Sequence, residues 1–116
     1  EMIKRVKDVL GITYVHATRG FEGSVARVAV VGGSGGEFVS EAVKAGARAF
    51  VTGEAKHHEM IEAQALGVLL IEAGHFETER CFVDVIFDRL QSRLNALQYH
   101  LGLKKAECIQ APGEIV

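Results

Sequence analysis

The 116-residue chain is poor in cysteine, with Cys81 and Cys108 far apart and in no CxxC spacing. A disulfide framework is thereby excluded as the source of stability, and a reduced, cytoplasmic or otherwise intracellular setting is expected. Its one proline, Pro112, lies in the tail, and no linker, low-complexity segment or run of like charge interrupts the rest. A single domain over residues 1–116 is therefore expected. No apolar stretch approaches the roughly 18 residues a membrane span needs, and the first residues lack the basic-then-apolar form of a signal peptide. The formal net charge is only −2, so nothing pulls the chain toward nucleic acid or an anionic membrane. Glu1 stands before Met2, which points to a piece of a longer protein or an expression remnant.

What is present is enough apolar residue for a core: 48% of the chain is hydrophobic and 24% charged, the ordinary balance of a globular protein. Residues 2–10 place Ile3, Val6, Val9 and Leu10 on one helical stripe, with Gly11 as the C-terminal cap. Residues 12–17 are rich in β-formers and read as a strand. A theme then repeats. An all-apolar strand over 28–31 leads into GGSGG and a helix over 37–45. A strand over 49–52 leads into GEAKHH and a helix over 58–66. A strand over 68–72 leads into AGHFETE and one long helix reaching Gln98, striped by Phe82, Val83, Ile86, Leu90, Leu94 and Leu97. A short strand over 107–110 would close the series.

Strands apolar on both faces belong in a covered, parallel sheet. The expected fold is thus a layered α/β domain with a mostly parallel sheet flanked by helices. In such a sheet the three turns after the strands emerge at one edge, where open α/β sheets hold their ligands. Glu54, His58, His75 and Glu79 would converge there.

Each motif there has a chemical and a structural reading. Gly33, Ser34 and Gly35, within GGSGG, open a helix after a buried strand; bare backbone N–H groups at such a place attract phosphate or carboxylate, but the same glycines also make a tight strand-to-helix turn. The spacing is neither a Walker motif nor a complete dinucleotide fingerprint. His57 and His58 are adjacent on a helix, so at most one faces the crevice. His75 and Glu79 are the sharper pair: imidazole and carboxylate suit Zn, Fe or Mn, and an interval of four spans one helical turn if the helix starts near His75. Alternatively, Thr78 caps the helix and Glu79 complements its dipole. His16 and His100 fall outside this edge, and Arg19, Arg27 and Arg48 read as solvated surface.

Residues 27–80, carrying GGSGG, TGEAKHH and AGHFETER in that order, resemble the C-terminal half of the Nif-three-like family, whose members are also known as GTP cyclohydrolase I type 2 homologues. The resemblance implies a two-halved α/β protein with a pair of divalent metal ions between the halves. It implies that His75 and Glu79, the His and Glu of a GHxxTE-type motif, are metal ligands. It places Glu54 and His58, from a TGExKxH-type motif, in the pocket. The family's other His-His motif and an Asp, which complete the dimetal site, have no counterpart here. The resemblance therefore implies a missing N-terminal half, or neighbouring copies in a homo-oligomer, as the source of the remaining ligands.

Three functions compete. One is a metal-dependent, hydrolase-like domain in which Glu54 or His58 moves protons and GGSGG holds an anionic small molecule. Nothing in the sequence marks a guanine pocket. The second is a non-catalytic module that binds a protein partner. The third is a metal-free phosphate or nucleotide binder built on GGSGG.

Overall fold

A computed structural model describes residues 1–107 and 109–113. The chain forms two compact units, Glu1–Glu79 and a second that begins at Arg80.

The first unit is built on a four-stranded sheet. Helix α1 (Met2–Leu10) is followed by strands β1 (His16–Ala17) and β2 (Val28–Ser34), helix α2 (Val39–Lys44), β3 (Ala49–Glu54), α3 (His57–Ala65), β4 (Leu69–Glu72) and the short helix α4 (His75–Glu79). The sheet order is β1-β4-β3-β2. β2, β3 and β4 run parallel, with Val30, Val51 and Ile71 in line across them. β1 is antiparallel to β4, His16 lying opposite Glu72. The expected mostly parallel α/β layer is the architecture observed.

Two apolar clusters explain why the sheet is sandwiched. Phe50 and Leu70, with no exposed surface, meet Val39 and Ala42 of α2 and Ala63 of α3 on one face. Val51, Leu69 and Ile71 meet Val6 of α1 on the other, with Met2, Ile3 and Leu10 packed around it. Both crossover helices lie on the same face because the connections step in one direction across the sheet. Gly11 closes α1 in the left-handed region at φ 64, which glycine enters without steric cost. Val9, placed on the buried stripe by periodicity, is 76% exposed.

The strands run further than their apolar letters. β2 continues through Gly32 and Gly33 to Ser34, and β3 through Gly53 to Glu54. Val31 pairs with Thr52 and Ser34 with Glu54, so β2 holds one more residue than β3 over that interval. Gly33, at φ 65, absorbs the extra residue as a bulge. GGSGG is therefore strand end plus bulge first and turn second. The helix expected over 37–45 is divided into a 3-10 turn, Gly36–Phe38, and α2.

The second unit carries helix α5 (Phe82–Ala96). The long helix expected after β4 is in fact two, α4 and α5, separated by a turn at Arg80–Cys81. No residue of α5 is buried; Phe82, Leu90 and Leu97 of its apolar stripe are exposed. Lys105 folds back onto the helix, its Nζ 2.7 Å from Asp84 and 4.7 Å from the Phe87 ring centre. The strand expected over 107–110 is not seen at Glu107, Ile109 or Gln110, and Cys108 lies outside the described residues. Among the described residues no helix is long and apolar enough to cross a membrane.

Candidate functional site

The carboxyl ends of β2, β3 and β4 share one edge, and α4 sits on the ends of β2 and β3. That placement depends on glycine. A Cβ on Gly53 would stand 2.6 Å from Gly33 O and Thr78 Oγ1 and 2.9 Å from His75 Cα. A Cβ on Gly33 would run into the Glu79 carboxylate and come within 3.3 Å of His75 Nε2. Gly33 and Gly53 thus make a bare floor on which one turn of helix can lie against backbone.

Thr78 pins the helix to that floor. Its Oγ1 accepts the Gly33 N–H at 3.1 Å and shares its own proton between Gly74 O at 2.9 Å and His75 O at 3.0 Å. It sits inside α4 and bonds backward, so it is not the N-cap that the local pattern allowed. Beneath it, Thr52 Oγ1 accepts the Gly35 N–H at 3.0 Å and donates to Gly33 O at 3.2 Å, fully buried. The turn into α4 is tied down as well: Ala73 N–H donates to Thr52 O and Gly74 N–H to Gly53 O, at 2.8 and 2.9 Å.

α4 begins at His75, so His75 and Glu79 stand one turn apart on one face. His75 Nε2 is 3.2 Å from Glu79 Oε2, and Nδ1 is 3.2 Å from Glu54 Oε2 at the end of β3. All three side chains are about half exposed, at 45–55%, so the group is open to solvent. The hydrogen bond from His75 Nδ1–H to Glu54 raises the pKa of His75 above that of an ordinary imidazole, opposed by desolvation and reinforced by the negative charges of Glu79 and Glu54.

Of the residues singled out by sequence, Glu54, His75 and Glu79 come together, with Gly33 under the imidazole and Glu79. His58 stands at the start of α3: its exposed ring is 3.9 Å from the buried carboxylate of Glu59, which accepts the Lys56 N–H at 2.6 Å and closes that helix start. His57 is exposed too. Gly33 and Gly35 give their N–H groups to threonine hydroxyls, while Ser34 is exposed and pairs in register with Glu54. Sequence reading missed Thr52 and Gly53, whose importance comes only from contacts made across strands. His16, given no role, bonds Glu72 at 3.1 Å through Nδ1.

The group can be tested as a metal seat by its own dimensions. Two donors bound side by side to one ion at about 2.1 Å stand roughly 3.0–3.4 Å apart. The 3.2 Å between His75 Nε2 and Glu79 Oε2 fits, and imidazole with carboxylate is a suitable donor set. Glu54 is on the other side of the ring and cannot share an ion with Nε2. Accordingly, among the described residues no three His, Cys, Asp or Glu side chains are gathered around one point; the chain offers a pair.

Fold and site together define a layered α/β protein with its ionisable groups gathered at the carboxyl edge of a mostly parallel sheet. The chain belongs to the Duf34/NIF3 (NGG1p interacting factor 3) family, whose description it matches over residues 1–112. It is 43% identical over 68 residues to a GTP cyclohydrolase 1 type 2 homolog of Nostoc sp., covering 59% of this chain and 26% of that protein. It is 35% identical over 95 residues to a protein NIF3 homolog of Schizosaccharomyces pombe, covering 79% and 33%. The chain thus spans a third or less of these two relatives. Among solved structures, a Staphylococcus aureus protein superposes with a TM-score of 0.85 at 28% identity, over 95% of this chain and 36% of that one. A Bacillus cereus protein related to NIF3 shares the fold, with a TM-score of 0.88 at 24% identity over 98% and 31%.

Proposed function

We propose that this chain contributes the His75–Glu79 pair to a divalent-metal centre of hydrolase type. The observation that carries the reading is the 3.2 Å between His75 Nε2 and Glu79 Oε2, the separation of neighbouring donors on one ion. Zinc, iron and manganese all suit the pair. A pair of donors is half a shell, so the remaining ligands, and any second ion, come from outside this chain: from the part of the longer relatives it does not span, or from another copy.

A divalent ion held there supplies Lewis-acid chemistry, polarising an anionic or carbonyl-like substrate and making water nucleophilic near neutral pH. The chain's own residues do the rest. His75 and Glu79 hold their donor atoms over the glycine floor, and Thr78 keeps the helix that carries them against β2. Ser34, exposed beside Glu54, is the polar group of GGSGG best placed to meet an anionic substrate. His58, at the start of α3, is an acid–base group for protons leaving the edge. GTP cyclohydrolase type 2-like chemistry is the reading suggested by the names of the relatives, and a homo-oligomer is the simplest assembly that brings in missing donors.

The test is elemental analysis of the purified chain after stripping with chelator and reloading with Zn²⁺ or Mn²⁺, beside the double variant His75→Ala, Glu79→Ala. With water or a second copy filling the open positions, metal held by the wild type and lost by the variant, with the fold unchanged, is the expected result. Equal metal in both overturns the assignment. A second reading, a protein-interaction module, is favoured by the exposed apolar stripe of α5. Partner binding that is indifferent to chelator and to His75→Ala would support it. The metal-free phosphate binder has less behind it, because the N–H groups of Gly33 and Gly35 are already bonded within the fold.

A further inference from the structure

Both nitrogens of His75 face a carboxylate, but the two carboxylates are not equivalent. Glu79 is on the same short helix, one turn on. Glu54 ends β3, whose register is set by pairing on both sides and whose neighbouring residue Gly53 lies against His75 Cα. Glu54 is therefore placed by the sheet, and Glu79 by the one-turn helix that also carries His75. A neutral imidazole has one N–H and one lone pair. With the proton on Nδ1, donated to Glu54 Oε2 across 3.2 Å, the lone pair of Nε2 is directed to the Glu79 side. With the proton on Nε2, a lone pair would face the Glu54 carboxylate and Nε2 would be closed to a cation.

We propose that Glu54 is the positioning residue of the site: it holds His75 as the Nδ1–H tautomer and orients the ring so that Nε2 and Glu79 can act together as donors. This rests on the metal-binding reading for its purpose, but the tautomer itself is a property of the metal-free chain. A carboxylate on the far nitrogen of a liganding histidine also raises the basicity of the donor nitrogen, and loss of such a group weakens metal binding by about 10–100-fold.

The experiment has two arms, run on wild type, Glu54→Ala and Glu54→Gln. In the first, the chain is labelled with ¹⁵N at histidine and stripped of metal, and the protonation of each His75 nitrogen is read from ring ¹⁵N–¹H correlations at a pH where the ring is neutral. The Nδ1–H form is expected in wild type and in Glu54→Gln, whose amide oxygen still accepts, and the Nε2–H form gains in Glu54→Ala. In the second, Zn²⁺ is titrated into each protein. Glu54→Ala is expected to bind about 10–100-fold more weakly, with Glu54→Gln between. An unchanged tautomer in Glu54→Ala overturns the proposal, as does a changed tautomer with unchanged zinc affinity. Equal losses in the Ala and Gln variants also overturn it, because that is how a direct metal ligand would behave. If zinc binding survives His75→Ala with Glu79→Ala, the metal reading fails instead, and the tautomer arm still reports on Glu54.

Discussion

At the scale of single residues, the site is a contest for one imidazole. His75 is raised above the ordinary imidazole pKa, first by the Glu54 hydrogen bond and then by the charges of Glu79 and Glu54 against a desolvation that lowers it. The sign follows from linkage: a raised folded-state pKa means that the protonated ring is favoured by folding. That stabilisation is complete below the unfolded value of about 6.5 and is lost as pH rises through the folded pKa. In the metal-free chain, the His75 ring resonances should therefore titrate above those of a model histidine. Glu54→Gln should bring the midpoint down, and a midpoint unmoved by that change would mean that Glu54 does not carry the effect. Thr78 acts on a different quantity. Thr78→Val leaves the part-buried Gly33 N–H without its acceptor, a cost of about 1–3 kcal/mol. Denaturant unfolding should show the loss, and exchange at the Gly33 amide should quicken.

Among the elements, α4 is the one whose place was least legible in the sequence. Strands β3 and β4 could be read because their residues are apolar on both faces, and α3 because its end is marked by Gly67. GGSGG misled because glycine has no hydropathy signal: a strand continuing through a bulge and a strand stopping at a turn look alike. The partner that decides between them, Thr78, is 45 residues away. The closeness of Glu54 to His75 was inferred correctly from parallel topology, since both follow strands that end at one edge. The same argument placed His58 there too; the start of α3 carries it, with its exposed ring 3.9 Å from Glu59. The glycine floor can be tested by contrast. Gly53→Ala drives a methyl into Gly33 O and His75 Cα; it should cost about 1–3 kcal/mol and reduce metal retention. Gly67→Ala, at φ +66 with nothing within 4 Å of the added Cβ, should cost roughly 1 kcal/mol and leave metal retention alone. Equal effects on retention would refute the idea that α4 needs the floor.

For the whole molecule, the sheet carries the stability of the first unit while the site sits at its rim. Phe50, with no exposed surface in the cluster covered by α2 and α3, should cost about 3–5 kcal/mol as Phe50→Ala, measured as a fall in the unfolding midpoint. On the proposed metal reading, site and core packing are separable: chelator treatment should leave the sheet's circular dichroism intact while Phe50→Ala degrades it. The second unit was read as a continuous extension of the site helix because its apolar stripe keeps helical spacing. The break at Arg80–Cys81 carries no glycine or proline to announce it.

β2 is the outermost strand of the sheet, and Val30 on it is 69% exposed. Among the described residues no strand lies along its outer side, and its seven residues contain neither a charge nor a proline. Such a strand is a template for fibre growth, and proteins commonly guard it with lysine. Concentrated solutions of this chain are accordingly expected to gel or form thioflavin-positive aggregates from this edge first. Val30→Lys should delay their onset without lowering the unfolding temperature, so that the shelf life of the protein would be governed by one solvent-facing valine rather than by its core.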